Sequence, residues 1–199
     1  MSSDPRTAIL NAAGEVFARF GFKKASMEDI ARRAGVGKGS IYLDFESKEE
    51  LFEAAVRLAT GQGLAELESA VRRAPTPEAQ IRAYLQGKLQ QSARTVDGQR
   101  IQLETLFELG TQAMRFLPEL QEKEAALVAR ILSEGNAQGA FAVPDPQLVA
   151  TGLVETVTSI TVKLMTQDSK VPLGTALEAY FDVFIRGLAP PAVTPPPKS

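Results

Sequence analysis

The chain has no cysteine and no histidine. Without cysteine, disulfide frameworks, thiolate zinc sites, iron–sulfur clusters and cysteine nucleophiles are excluded. Without histidine, the commonest metal ligand and the usual general base near neutral pH are missing. A hydrolytic triad or a zinc enzyme would need an unusual substitute, so the chain is not expected to be an enzyme and no cofactor or metal is implied. The absence of cysteine fits a reducing, cytoplasmic setting. A large charge excess is also absent, since 22 Lys+Arg against 24 Asp+Glu leave −2 over 199 residues. The most apolar segment, Leu148 to Met165, carries Glu155 and Lys163. It therefore predicts a buried helix rather than a membrane span, and no membrane partner is expected. Met1 to Arg6 lacks a positive lead followed by an apolar stretch, which predicts no signal peptide.

Hydrophobic residues make up 44% and charged residues 23%, which is ordinary globular usage and argues against disorder for the bulk of the chain. The length allows one or two domains. Strand-type alternation is scarce and helical spacing is nearly everywhere, which predicts an all-α fold of about nine helices. Ile9, Leu10, Ala13, Val16, Phe17 and Phe20 share one face of a first helix, with Asp4 and Pro5 as start signals and Gly21 as a stop. Ser26, with Asp29 three residues on, opens a second helix that Gly35 ends. A third runs from about Lys38 to Phe45, against the low propensity of Gly37 and Gly39. Ser47-Lys48-Glu49-Glu50 is a capping box that starts a fourth, expected to continue to about Arg73. Further helices are expected over about 78–95, 100–113, 118–135, 147–165 and 173–188. Pro190 to Ser199 holds five prolines in ten residues and reads as a disordered, polyproline-like tail.

Residues 26 to 45 join two short helices through a tight glycine turn. Ile30, Ala31, Ala34 and Val36 are spaced to pack the pair together. Ile41 and Phe45, four apart, share the inner face of the second helix. That leaves Gly37, Lys38, Gly39, Ser40, Tyr42 and Leu43 at its exposed start and outer side. The arrangement is a helix-turn-helix, whose second helix enters the DNA major groove. An αα-hairpin of a helical bundle has the same outline. Glycine at 37 and 39 is hard to explain in a plain scaffold, and makes sense where backbone must approach a phosphate.

The stretch from Phe20 to Leu51 resembles the DNA-binding domain of TetR-type transcriptional regulators. The matching residues are Phe20-Gly21-Phe22, Ser26, Ile30-Ala31, Ala34-Gly35-Val36, Lys38-Gly39-Ser40-Ile41-Tyr42, Phe45 and Ser47-Lys48-Glu49-Glu50-Leu51. The resemblance implies a helix-turn-helix domain over 1–48, a helical ligand-binding and dimerisation domain over 49–189, and the tail over 190–199. It implies that Ser26 caps its helix and touches a phosphate, and that Met27 and Gly37 lie at the same surface. It further implies that Lys38 reaches the groove or a phosphate, that Gly39 and Ser40 allow close approach, and that Tyr42 hydrogen-bonds a phosphate. Lys48 would grip phosphate together with backbone N–H groups. The sequence departs from the family pattern at Gly37, where a hydroxyl residue is usual, and at Leu43 and Asp44, where aromatic or histidine side chains are common. Leu43 suits a thymine methyl. Asp44 would be repelled by phosphate unless it faces a cation such as Arg32 or Arg33.

Charge adds little. Residues 1–48 hold eight basic and six acidic side chains, a surplus of +2, and the remainder carries −4. This implies moderate, dimer-dependent DNA binding rather than tight binding by a lone domain. The run Gly35-Val36-Gly37-Lys38-Gly39-Ser40 lacks the spacing and the preceding strand of a phosphate loop. Glu104 and Glu108, four apart, read as a surface pair.

The C-terminal helices are long and amphipathic, and such a bundle encloses pockets. Tyr84, Leu103, Phe107, Met114, Phe116, Glu155 and Thr158 are the candidate lining for a small-molecule effector. Leu173, Leu177, Tyr180, Phe181, Phe184, Ile185 and Leu188 form a broad apolar stripe on the last helix. Leu153, Thr156, Ile160 and Leu164 offer a matching one, so two copies are expected to meet in a two-fold four-helix interface. The function expected is a ligand-responsive homodimeric repressor on a pseudo-palindromic DNA operator. The alternative is a helical small-molecule binding protein whose helix-turn-helix is only structural.

Overall fold

The computed structural model describes residues 4–98, 108–112, 116–165 and 173–191. Among the described residues the fold is all-α. The helices are α1 (Pro5–Lys24), α2 (Met27–Ala34), α3 (Lys38–Asp44), α4 (Lys48–Arg73), α5 (Pro77–Gly98), α6 (residues 108–112), α7 (Leu117–Ala137), α8 (Pro146–Met165) and α9 (Leu173–Gly187). Among these residues, no helix is long and apolar enough to cross a membrane. Two compact units emerge. One is Met1–Ala65 with Gln91–Leu120, and the other is Glu66–Gln90 with Gln121–Ser199. The division cuts α4 and α5, so the start of α4 belongs with the N-terminal helices.

The first unit is built on α1, α2 and α3. Ile9, Ala13, Phe17, Ile30, Ile41 and Phe45 are almost fully buried in its core. Phe17, Phe22 and Phe52 form an aromatic cluster, with ring centroids 5.1 Å apart for Phe17–Phe52 and 5.3 Å for Phe22–Phe52 in edge-on geometry. Such pairs add about 0.5–1.5 kcal/mol beyond burial, and they tie the end of α1 to α4. The expected stop at Gly21 is a sharp kink, with φ 78° and ψ 167° inside the continuous span of α1. That backbone conformation is open to glycine and strained for other residues.

The second unit centres on Leu67, Ile81, Tyr84, Leu85, Val128 and Leu132, each at most 1% exposed. Within this apolar setting lies a charged network. The Tyr84 hydroxyl donates to Glu124 Oε2 at 3.0 Å, and Lys88 Nζ donates to Glu124 Oε1 at 2.9 Å. Glu124 is 3% exposed. Burial, reinforced by the Glu124 negative charge and then by the hydrogen bond to it, pushes the Tyr84 hydroxyl far above the ordinary tyrosine value. The folded state keeps this proton at pH values where the unfolded chain gives it up. The resulting stability is therefore complete below the unfolded tyrosine value of about 10. It falls above that value by about 1.4 kcal/mol per pH unit. Thermal melts at pH 9 and pH 11 should show wild type losing more stability than Tyr84→Phe across that interval; equal losses would contradict the assignment.

Candidate nucleic-acid interface

α2 begins at Ser26, whose Oγ accepts the Asp29 N–H at 3.1 Å and whose hydroxyl donates to Asp29 Oδ2 at 2.6 Å. The aspartate thus takes the serine proton instead of reaching back to the serine backbone. The Ser26 hydroxyl must leave Asp29 before it donates to a phosphate. Gly35 closes α2 in the left-handed conformation, φ 70°, and Val36 N–H returns to the Ala31 carbonyl at 3.0 Å. The turn leads directly into α3.

α3 forms despite its glycines because packing outweighs propensity. Gly37 lies at the N-cap, where glycine is well tolerated, and makes no side-chain cap. Only Gly39 sits inside, at a cost of about 1 kcal/mol. Against that, Ile41 is 0% and Phe45 1% exposed, and burying two such side chains contributes about 3–6 kcal/mol. The opposite face carries no core residue. Gly37, Lys38, Gly39, Ser40, Tyr42, Leu43 and Asp44 are all exposed. Tyr42 is 48% exposed, and Leu43, at 86%, is the most exposed of the large apolar side chains described. The structure therefore brings together, on one helix face, the six residues that the sequence placed there.

The first turn of α4 adds Lys48. Ser47 Oγ accepts the Glu50 N–H at 3.1 Å, and Glu50 Oε2 accepts the Glu46 N–H at 2.7 Å, so the capping box closes one residue further out than the standard pattern. The Lys48 ammonium donates to the Ala25 carbonyl at 3.1 Å and to the Lys23 carbonyl at 3.4 Å, 4.6 Å from the Phe22 ring centroid. An ammonium has three donors, so one remains for a phosphate while two hold the turn between α1 and α2.

Two expectations need correction. Met27 is 7% exposed and belongs to the core of the first unit, so its side chain is not a DNA contact. Its spacing with Ile30, Ala31 and Ala34 already put it on the inner face of α2. Arg32 and Arg33 do not shield Asp44. Arg32 pairs with Asp29 at 3.4 Å, and Arg33 pairs with Glu15 of α1. A third residue was missed as an N-terminal contact: the Glu108 carboxylate, read from sequence as half of a surface pair, accepts the backbone N–H of Lys23.

Residues 9–65 match the family described as bacterial regulatory proteins, tetR family. The HTH-type transcriptional regulator YfiR of Bacillus subtilis is 30% identical over 148 residues, which cover 72% of this chain and 71% of YfiR. The chain belongs to the TetR family. It is a DNA-binding transcriptional regulator, and the helix-turn-helix described above is the family's DNA-binding element. YhgD, another HTH-type transcriptional regulator of B. subtilis, is 49% identical over 53 residues, but these span only 28% of its length. The structure of the FadR regulator from B. subtilis in complex with stearoyl-CoA superposes with a TM-score of 0.70 at 21% identity, covering 91% of this chain and 98% of that one. The fold is thus shared with TetR-family regulators beyond the matched N-terminal segment.

The remaining candidates in this TetR-family chain sort by burial. Tyr84 is enclosed in the second unit and bonded to Glu124. Phe116 is half-buried in the first unit, with the Arg57 guanidinium 5.3 Å from its ring centroid. Arg57 also pairs with Glu119 at 2.6 Å and Glu53 at 3.1 Å. Thr158 is half-buried. Glu155 is exposed on α8, so its carboxylate needs no internal partner and it leaves the pocket candidates. Leu103, Phe107 and Met114 lie outside the described residues, as do the side chains of Leu164 and Leu173.

Of the expected dimer residues, Leu153, Leu177, Phe181, Ile185 and Leu188 are at most 6% exposed within a single chain. They face the protomer's own core and have no surface left for a second copy. Thr156, Ile160 and Phe184 are half-buried and Tyr180 is 44% exposed. Val183 and Leu148, both 69% exposed, were not anticipated. Their signal was positional: each sits off the buried stripe of its helix, yet is large and apolar.

Proposed function

We propose that this TetR-family chain is a homodimeric, ligand-responsive repressor that reads a pseudo-palindromic operator with α3. The carrying observation is the two-faced character of α3, with Ile41 and Phe45 buried and Lys38, Ser40, Tyr42 and Leu43 all exposed. Tyr42 and Lys38 supply phosphate contacts, Lys48 anchors the start of α4, and Leu43 offers an apolar contact to a thymine methyl. Residues 1–48 form the reading segment, and 49–189 form the ligand-binding and dimerisation part. Tyr180, Val183 and Phe184 on α9, with Leu148, Gly152, Thr156 and Ile160 on α8, are the surface for a second copy. Two recognition helices would then lie about 34–36 Å apart in successive major grooves. The stearoyl-CoA held by B. subtilis FadR supports a small-molecule effector in the helical part. An effector shifts operator occupancy only by its differential affinity for the bound and free states.

The test is selection of genomic DNA fragments by the purified protein at about 150 mM salt, where non-specific phosphate binding is weakened. Enrichment of a pseudo-palindrome by wild type and its loss in Lys38→Ala is the expected result. Equal enrichment by the two proteins would remove Lys38 from the interface. No enrichment by a well-folded dimer, with and without candidate acyl-CoA effectors, would favour a small-molecule binding protein whose helix-turn-helix is scaffold.

A further inference from the structure

The turn between α1 and α2 is held from two sides. On one side Lys48, at the first turn of α4, donates to the carbonyls of Lys23 and Ala25. On the other, Glu108 of α6 accepts the N–H of Lys23 from a position 85 residues further along the chain. Both groups belong to the first unit. Gly21 gives the carboxylate room: a Cβ there would lie 2.9 Å from Glu108 Oε2, so the carboxylate would have to shift. Gly21, with φ 78°, kinks the span of α1 two residues before Lys23, whose N–H donates to the carboxylate. The Ala25 N–H closes the turn on the Gly21 carbonyl at 3.2 Å, and Ser26 follows as the cap of α2.

We infer that Glu108 is a positioning residue for DNA binding, acting through the backbone of Lys23 on the ammonium of Lys48. The inference rests on the reading that Lys48 contacts phosphate. Lys48 has a flexible four-carbon stem, and what fixes its head is this pair of carbonyls. The carbonyls stay in place only while the 21–25 turn does. A carboxylate accepting a backbone N–H makes a charge-assisted bond, stronger than a neutral one. Without it, the Lys23 N–H turns to water, the turn gains freedom, and Lys48 has no fixed point from which to meet a phosphate. Glu108 touches no DNA itself.

The test uses the full-length protein and the duplex fragment that wild type selects. Affinity is measured from about 50 to 200 mM salt, since the slope of log K against log salt counts phosphate contacts at about 0.9 each. Lys48→Ala should lower the slope by about one per protomer. Glu108→Ala should lower it by the same amount, and the double variant Glu108→Ala/Lys48→Ala should go no lower than Lys48→Ala alone. Glu108→Gln, which keeps an acceptor oxygen, should restore the wild-type slope. In parallel, the 15N–1H resonance of Lys23 should move strongly upfield in Glu108→Ala and little in Glu108→Gln, a signature independent of DNA. A wild-type slope in Glu108→Ala beside a reduced slope in Lys48→Ala overturns the inference alone. A wild-type slope in Lys48→Ala removes Lys48 from the interface, and the inference with it. If Glu108→Ala fails to fold, Glu108→Gln and Glu108→Asp carry the comparison, and a lowered slope in Glu108→Asp with an unmoved Lys23 resonance overturns it.

Discussion

Glu124→Ala is expected to destabilise the protein by about 3 kcal/mol, the lower end of the range for breaking a buried ion pair. For a chain of this size that is a fall in Tm of roughly 6–12 °C. The cause is what remains behind. Lys88 has a side chain only 14% exposed, and the Tyr84 hydroxyl is fully enclosed. Removing the carboxylate withdraws the acceptor from Tyr84 and one partner from Lys88, and opens a cavity beside them. The same logic predicts repair. The triple variant Tyr84→Phe/Lys88→Met/Glu124→Leu replaces the network by apolar groups of similar volume and should recover most of the loss, because a buried pair is seldom better than good packing. Glu124→Gln, which still accepts from Tyr84, should fall between. Thermal and denaturant unfolding of the four proteins measures this directly. A Glu124→Ala protein within about 0.5 kcal/mol of wild type would mean that the ion pair with Glu124 is not what holds Lys88 in place.

The network also marks where sequence reasoning stops. Tyr84 reads from sequence as an aromatic on a pocket face, and it is inward-facing. Its partner Glu124 escapes notice, although its position is telling: it falls three, four and seven residues before Leu127, Val128 and Ile131, on the buried face of α7. A charge in register with an apolar stripe is the local trace of a buried pair. Periodicity found the inner faces of α1 and α2, although Phe20, expected on that face of α1, is 43% exposed, and caps at Ser26, Gly35 and Ser47 mark the ends of α2 and the start of α4. On α9 the apolar band is too wide for one face. Leu177, Phe181, Ile185 and Leu188 recur at three- and four-residue steps and turn to the protomer core, which leaves Tyr180 and Val183 on other sides. Spacing alone does not say which edge of such a band meets the chain's own core. The Glu108–Lys23 contact was illegible for a different reason: helical spacing reports neighbours within a few turns, and this contact closes over 85 residues.

The outer face of α3 is where the largest effect on function is expected. Leu43→Glu should reduce affinity for the selected duplex on the order of 100-fold or more, the sum over two recognition helices of about 1.4 kcal/mol each. Of that, an apolar contact worth about 0.7 kcal/mol is lost at each half-site, and the carboxylate placed among phosphates supplies the rest. Because Leu43 is 86% exposed, unfolding should shift by less than about 0.5 kcal/mol. Leu43→Ala separates the two causes. It removes only the apolar contact, so it should weaken binding about tenfold, relax base preference at one position of each half-site, and leave the salt slope as in wild type. Lys38→Ala is the converse, lowering the slope with less effect on base preference. If Leu43→Glu binds the fragment as tightly as wild type while remaining folded, the exposed face of α3 is not the surface that meets DNA. The two-faced design of that helix would then need another explanation. If binding falls but Leu43→Ala alters the salt slope as much as Lys38→Ala, then Leu43 acts by setting the tilt of α3 rather than by touching a base.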